Sequence, residues 1–144
     1  MTWPIQDHCD AFLALLRSAS GSPALDVYDG RVAGDPPYAL VYFAIETPDG
    51  LVAPDAVPLT YDSDVIDARA YVHCVGADPE AAKAARAVAG RVRAVVLNQT
   101  LTVSGRSCFP IRWREGQPPQ RNEETPGLTV FDQVDVYGWR SVPG

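Results

Sequence analysis

An alternating segment followed directly by a helical segment constrains the fold of this chain more than any other feature of its sequence. Residues 68–75 alternate small and apolar positions with longer side chains, which is typical of a strand. Asp78 predicts an N-cap, and Pro79 and Glu80 suit the first turn of a helix that runs to about Leu97. The buried stripe of this helix is predicted to hold small side chains: Ala81, Ala85, Val88, Val92 and Val95. Small side chains let a helix lie close to a sheet, so the segment predicts a helix packed on a sheet.

The rest of the chain predicts one more helix and several further strands. Apolar residues at helical spacing predict an amphipathic helix from Asp7, with Ala11, Phe12, Leu15 and Leu16 on one face. Strands are predicted at Leu25–Tyr28 and Tyr38–Ile45, a hairpin at Leu101–Val103 and Cys108–Trp113, and a long, bent last strand at Leu128–Val142. We therefore predict an α+β fold, with a mostly antiparallel sheet of about five to six strands and two main helices packed on it.

Composition limits the chain to one domain and excludes a membrane span. The chain has 144 residues, of which 47% are hydrophobic, and this suits a single domain over residues 1–144. The longest apolar run, Tyr38–Ile45, has eight residues, far fewer than the roughly 18 to 20 that cross a bilayer. The N-terminus lacks the basic and apolar regions of a secretory signal, so we expect the protein in the cytosol.

A long polar segment separates the second and third predicted strands. Residues 46–67 hold three prolines, Gly50 and six acidic residues, and this composition predicts an extended loop. A loop of about 20 residues inside a compact domain is usually functional or disordered. A strand connection of no special role is the alternative. The loop carries four isolated apolar residues: Leu51, Val52, Val57 and Leu59.

Charge is segregated along the chain. The net charge is −6, which argues against a main partner that is nucleic acid backbone. Between Lys83 and Arg121 there are eight basic residues and one acidic residue, so this stretch carries +7 and the rest of the chain −13. A solvated basic face explains this pattern equally well as a contact in which the positive side of one subunit meets the negative side of the next.

No arrangement of residues predicts catalysis, and we expect no metal and no cofactor. The two histidines each precede a cysteine, in His8-Cys9 and His73-Cys74, and adjacent residues point apart on a strand or helix. Core cysteines and surface histidines are the favoured interpretation, with Cys108 as a further free thiol. The acidic residues Asp62, Asp64 and Asp67 lack the pattern of a calcium loop. Three tryptophans favour core or subunit contacts over base stacking: Trp3, Trp113 and Trp139.

The order of elements resembles the tail terminator (tail completion) proteins of long-tailed, siphovirus-type phages. The similarity spans nearly the whole chain, and none of the matching segments is a catalytic motif. The segments that carry it are Phe12-Leu13-Ala14-Leu15-Leu16, Val27-Tyr28-Asp29-Gly30, Pro37-Tyr38-Ala39-Leu40-Val41-Tyr42, Tyr71-Val72-His73-Cys74-Val75-Gly76, the helix from Asp78 to Leu97, and Phe131-Asp132-Gln133-Val134-Asp135-Val136-Tyr137.

This resemblance implies a structural protein and no enzyme. It implies a homohexameric ring that caps the tail tube, ends tube polymerisation and presents a surface to the head-tail connector or stopper protein. DNA would be a partner only through passage along the channel. The protein would lie in the virion, at the neck end of the tail, and in the host cytoplasm before assembly.

Two sets of residues are candidates for these contacts. The first set is basic and would form a subunit interface or line the channel: Lys83, Arg86, Arg93, Arg112 and Arg114. The second set would contact the tail tube and consists of the four apolar loop residues Leu51, Val52, Val57 and Leu59. Two alternatives stay open, a head-completion or stopper protein of the same neck and a small hydrolase or ligand-binding domain with a concave pocket.

Overall fold

The chain forms one sheet with two helices on the same face. The structure is a computed structural model, and it describes residues 5–46, 65–122 and 129–144. The described elements, in chain order, are α1 (Ile5–Arg17), β1 (Val27–Asp29), β2 (Tyr38–Glu46), β3 (Ile66–Ala77), α2 (Ala81–Val96), β4 (Arg106–Cys108), β5 (Arg112–Gly116), β6 (Gln120–Asn122) and β7 (Val130–Pro143). The predicted α+β class is confirmed.

The sheet has seven strands and is mixed. Its order is β1-β2-β3-β7, and the three short strands β4, β5 and β6 pair one after another with the outer edge of β7. Every pair is antiparallel except β1 with β2, which is parallel. β3 lies at the centre, because it pairs over nine residues with β2 and over twelve with β7. The prediction that Tyr38–Ile45 lies within the sheet is confirmed.

Strand alternation divides the sheet into a helix-covered face and a helix-free face. Val72 and Cys74 of β3 point to the helices and are fully buried. On the same face, Phe12 of α1 stacks on Trp139 of β7, with ring centroids 5.1 Å apart, and meets Phe43 edge-on at 5.8 Å. The core therefore lies between the helix-covered face and the two helices.

Small residues bring α2 close to β3, as the sequence predicts. A Cβ atom at Gly76 of β3 would overlap the backbone of Ala81 and Ala85 in α2. Ala85, Val88 and Val92 are buried on this side of the helix, as predicted. Val95, the last predicted member of the stripe, is half-buried. The helix ends at Val96, and Asn98 follows with a φ of 64°.

Two local predictions are wrong, and the bulge expected for a bent or bulged last strand lies in its partner strand β5. The Asp78 carboxylate does not cap α2, because it accepts a hydrogen bond from the Thr129 backbone N–H at 2.9 Å, and the helix begins at Ala81. Residues 101–103 form no strand, so the predicted hairpin does not exist, and β4 and β5 pair with β7 instead. The bulge lies in β5, between Trp113 and Glu115.

The boundaries of the predicted loop also change. Glu46 belongs to β2, and Ile66 and Asp67 belong to β3, whose register pairs Glu46 with Asp67. The four apolar residues predicted to contact a tail tube lie outside the described residues: Leu51, Val52, Val57 and Leu59.

Candidate functional site

The structure divides the five predicted basic residues between two faces of the molecule. Lys83, Arg86 and Arg93 lie on the exposed side of α2, and Lys83 forms an exposed ion pair with Glu80 at 3.5 Å. Arg112 of β5 donates a hydrogen bond to Asn98, just beyond the end of α2. Arg114 lies over Gly138 on the helix-free face, because a Cβ at Gly138 would meet its side chain. The set therefore does not form one continuous patch.

Arg86 and Arg93 are brought together beside a small cleft. They lie seven residues apart on α2, nearly two helical turns, so they point the same way. The cleft has a volume of about 250 Å³, and it is also lined by Gln133 and Asp135 of β7. Neither arginine forms an ion pair with any residue in the described part of the chain.

Trp113 of β5 extends this surface beyond the edge of β7. The Arg93 guanidinium carbon lies 5.6 Å from the centroid of the Trp113 ring, in the geometry of a cation–π contact. The Trp113 indole Nε1 donates to Asp135 Oδ1 at 3.3 Å, while 44% of the side chain stays exposed. We call the surface formed by Arg86, Arg93 and Trp113 the basic edge.

Tyr137 lies beneath the basic edge and stays neutral. Burial, together with the charge of Asp135, raises the pKa of Tyr137 to about 12. Arg93 opposes this rise, although the buried hydroxyl makes no hydrogen bond of normal geometry. A neutral phenol does not compensate the Arg93 charge, and the carboxylate that lines the same cleft is that of the buried Asp135.

Gly90 separates the cleft from a second groove on α2. The second groove has a volume of about 470 Å³ and lies between α2 and the segment after α1, where Arg91 donates to the Ser20 carbonyl oxygen at 3.2 Å. A Cβ atom at Gly90 would meet nothing within 4 Å. No contact within the described chain therefore requires glycine at this position.

Acidic residues gather at the opposite side of the sheet, around β1. Asp26 precedes this strand, Asp29 ends it and Asp35 follows it, and all three are exposed. Asp10 of α1 is also exposed and lies near Asp29, since both carboxylates act on Cys9. Burial, together with the charges of Asp29 and Asp10, raises the pKa of the Cys9 thiol to about 11. We call the surface formed by Asp10, Asp26, Asp29 and Asp35 the acidic edge.

The histidines have different surroundings, and the prediction of surface histidines is wrong for His8. His8 is fully buried, and its Nε2 lies 2.8 Å from the Ser141 hydroxyl oxygen. His73 is half-buried on the helix-free face, with its Nδ1 2.8 Å from Asp132 Oδ2. The pairing of His73 with Asp132 had no signal in the sequence, because the two residues are 59 positions apart.

The predicted core position is confirmed for Cys9, Cys74 and Trp139. Cys9 and Cys74 are buried free thiols, and Cys108 is a partly exposed one. Burial raises the pKa of Cys74 well above its usual range. Trp139 is buried in the core, whereas Trp113 is exposed at the basic edge and Trp3 lies outside the described residues.

The predicted acidic loop cluster is only partly described. Asp67 forms an ion pair with Arg140, with the Arg140 Nε 2.8 Å from Asp67 Oδ1, while Asp62 and Asp64 lie outside the described residues. Within residues 5–46, 65–122 and 129–144, no group of three or more histidine, cysteine or acidic side chains is placed to hold a metal ion. The described helices are too short or too polar to cross a membrane.

Two solved structures have the same fold as this chain. No protein family profile matches the sequence, and no curated protein matches it. One solved structure, which carries no functional name, superposes with a TM-score of 0.65 at 18% identity, over 95% of this chain and 94% of that chain. The other is a chain from the virion of a native gene transfer agent particle, with a TM-score of 0.55 at 17% identity, over 97% of this chain and 91% of that chain. The fold is therefore shared over nearly the full length of each protein.

Proposed function

We propose that the protein is a structural component of a phage-type virion, and that it acts as a tail terminator. In this role it forms a homohexameric ring on the last ring of tail-tube subunits, ends tube polymerisation and presents a surface for joining the head. It performs no chemical reaction and needs no cofactor. The observation that carries the proposal is the shared fold, over 97% of this chain, with a chain of a gene transfer agent virion.

The distribution of charge supports a ring. A closed ring of identical copies needs heterologous contacts, in which one surface of a copy meets a different surface of the next. The basic edge and the acidic edge are two such surfaces, because Trp113 lies on β5 beyond β7 whereas Asp29 lies on β1 at the other end of the sheet. A ring built in this way ends a tube without any bond being made or broken, because it occupies the surface that the next tube subunit would use.

The proposal also includes contacts with DNA in the channel, with the tail tube and with the head. Arg114 lies on the helix-free face, away from the basic edge, and is a candidate for lining the channel through which DNA passes. Leu51, Val52, Val57 and Leu59 stay the predicted contact with the tail tube. The connector or stopper protein of the head is the partner on the opposite side of the ring.

Binding to purified tail tubes tests the proposed function. Tagged protein is mixed with terminator-free tubes of the same virion and, separately, with portal rings, and both samples are imaged by electron microscopy. We expect label at one end of each tube and none along its length. We also expect tubes assembled in the presence of the protein to be shorter than tubes assembled without it.

Three results would contradict the proposal. Binding to portal rings but not to tube ends would identify a head-completion or stopper protein instead. If the protein is folded by circular dichroism but binds neither partner, a role at the neck is contradicted. The alternative of a small hydrolase or ligand-binding domain would then be favoured. Tube-end binding with unchanged tube length would contradict the termination step.

A further inference from the structure

We infer that the basic edge of one copy binds the acidic edge of the next copy, head to tail, and that this contact holds the assembly together. The contact would place Arg86, Arg93 and Trp113 of one copy against Asp10, Asp26 and Asp29 of its neighbour. This inference rests on the proposed ring, and it specifies which surfaces meet within it.

The two edges are too far apart to neutralise each other within one chain. β1 ends the sheet on one side, and Arg86 and Arg93 lie on α2 beside Gln133 and Asp135 of β7, three strand-to-strand spacings away. At roughly 4.8 Å per spacing this is about 14 Å, which exceeds the Debye length of about 8 Å in physiological salt. The charges of each edge are therefore available to another molecule.

The basic edge has the composition of a binding surface. Arginine and tryptophan are the residue types most enriched where protein contacts are strongest, and here Arg93 already lies against an exposed Trp113. Phe109, between β4 and β5 on the same side of the sheet, is 52% exposed. Exposed large apolar side chains next to unpaired cations indicate a partner that buries the former and neutralises the latter.

Gly90 indicates that the partner approaches the helix backbone closely. Glycine in a helix interior lowers helix stability relative to alanine. Within the described chain nothing lies near enough to Gly90 to exclude a Cβ. Gly90 lines both the Arg86–Arg93 cleft and the second groove, and the missing side chain leaves room for another subunit to approach the helix backbone.

Charge complementarity identifies the partner as a second copy in a head-to-tail arrangement. The net charge of −6 repels nucleic acid and other anionic polymers. A two-fold dimer through the basic edge would bring Arg86 and Arg93 against their own symmetry mates, which is repulsive. A head-to-tail contact brings the same arginines against Asp26 and Asp29, which is attractive.

A charge-swap experiment on the full chain tests the contact. One variant carries Arg86→Glu and Arg93→Glu, and the other carries Asp26→Lys and Asp29→Lys. Native mass spectrometry and analytical ultracentrifugation measure the assembly of each variant alone and of an equal mixture. Each variant alone now presents like charge on both edges, so we expect the concentration at half-assembly to rise by at least about tenfold.

The equal mixture is expected to restore a ring. Each contact in it pairs either two native edges or two reversed edges, so opposite charges meet everywhere if the two variants alternate around the ring. A ring with an even number of subunits, such as a hexamer, can alternate in this way. The mass of the mixed ring should therefore show equal numbers of the two variants.

The matched control reverses two arginines that lie at neither edge. Arg17 is the exposed last residue of α1, and Arg69 is exposed on the helix-free face of the central strand β3. The variant with Arg17→Glu and Arg69→Glu changes the net charge as much as the first variant and is expected to assemble like the unmodified protein. Circular dichroism and thermal unfolding establish that each variant is folded.

The possible results separate this inference from the proposed function. If the unmodified chain forms rings and a folded edge variant does so equally well, the inference is wrong and the ring stands. The inference is also wrong if both variants fail alone and their mixture fails too. If the unmodified chain stays monomeric at every concentration and at tube ends, the ring itself is contradicted, and this contact with it.

Discussion

The two faces of the sheet have different roles. On the helix-covered face, Val41, Val72 and Tyr137 are fully buried beneath α1 and α2. On the helix-free face no described helix covers the strands, and Tyr42, directly beside Val41, is 46% exposed. Contacts on the helix-covered face therefore hold the fold together, whereas side chains such as Tyr42 on the helix-free face stay in contact with solvent.

The largest expected effect comes from removing a core aromatic residue of the helix-covered face. Trp139 is 2% exposed and stacks on Phe12. Trp139→Ala is expected to lower the free energy of unfolding by about 3–5 kcal/mol, because it removes apolar contacts and leaves a cavity. Urea unfolding followed by circular dichroism measures the change.

Tyr42→Ala is the matched change on the helix-free face. It is expected to cost less than about 1 kcal/mol, since nearly half of the side chain is already in contact with water. Equal losses for Trp139→Ala and Tyr42→Ala would show that both faces contribute alike to stability and would remove the contrast between them.

A smaller effect is expected from a buried hydrogen bond of the helix-covered face. The Ser141 hydroxyl lies 2.8 Å from His8 Nε2 and accepts a hydrogen bond from Arg106 Nε at 3.2 Å. Ser141→Ala removes both contacts and is expected to cost about 1–3 kcal/mol. Ser107→Ala, at an exposed serine of β4, is the control and should change stability by no more than about 0.5 kcal/mol. If Ser141→Ala left stability as unchanged as the control does, the hydrogen bond between His8 and Ser141 would not contribute to stability.

Alkaline pH is expected to weaken the side of the sheet that the helices cover. Burial raises the pKa of Cys9 from 9.0 to about 11 and that of Tyr137 from 10.0 to about 12. The folded chain holds these protons more tightly than the unfolded chain does, so their contribution is complete below pH 9 and falls as the pH rises toward 12. Unfolding by urea at pH 8 and pH 10.5 measures the decrease.

The thiol contribution can be separated with Cys9→Ala. This variant should lose less stability between pH 9 and pH 11 than the unmodified chain does, because one of the buried groups with a raised pKa is gone. Stability that stays constant or rises over this range would contradict the burial of both groups.

The smallest expected change in stability comes from Gly90, on the exposed side of α2. A Cβ at Gly90 meets open space, so Gly90→Ala is expected to raise the free energy of unfolding by up to about 1 kcal/mol. Gly76→Ala is the opposite control, because its Cβ would overlap the backbone of α2 and destabilise the chain. Thermal unfolding compares the two variants. A loss of stability in Gly90→Ala would show that the fold itself needs this glycine, which would contradict its proposed role in assembly.

The fold could be predicted from the sequence wherever an element is long and periodic. Strand β3 and helix α2 were predictable, because alternation and helical spacing extend over many residues in each. The three-residue strands β4 and β6 have no period, and only their pairing with β7 defines them. Asp78 also could not be predicted from local sequence, because its carboxylate accepts a hydrogen bond from the distant Thr129 N–H instead of capping the adjacent helix.

The candidate site was predictable as a set of charges but not as a surface. The sequence groups Arg93 with Arg114, whereas the bulge in β5 places Trp113 against Arg93 and leaves Arg114 on the other face. The acidic edge depends on the parallel pairing of β1 with β2, which puts Asp29 near Asp10 of α1. Neither arrangement follows from local sequence, because each depends on contacts between distant segments.

The native mass of the unmodified protein over a range of concentrations tests the central claim most directly. A head-to-tail ring predicts that the 15.5 kDa chain converts, as its concentration rises, to one closed species of about six copies without further growth. A stable two-fold dimer or tetramer at every concentration would contradict the account, because it would use like surfaces and leave the basic and acidic edges unmatched.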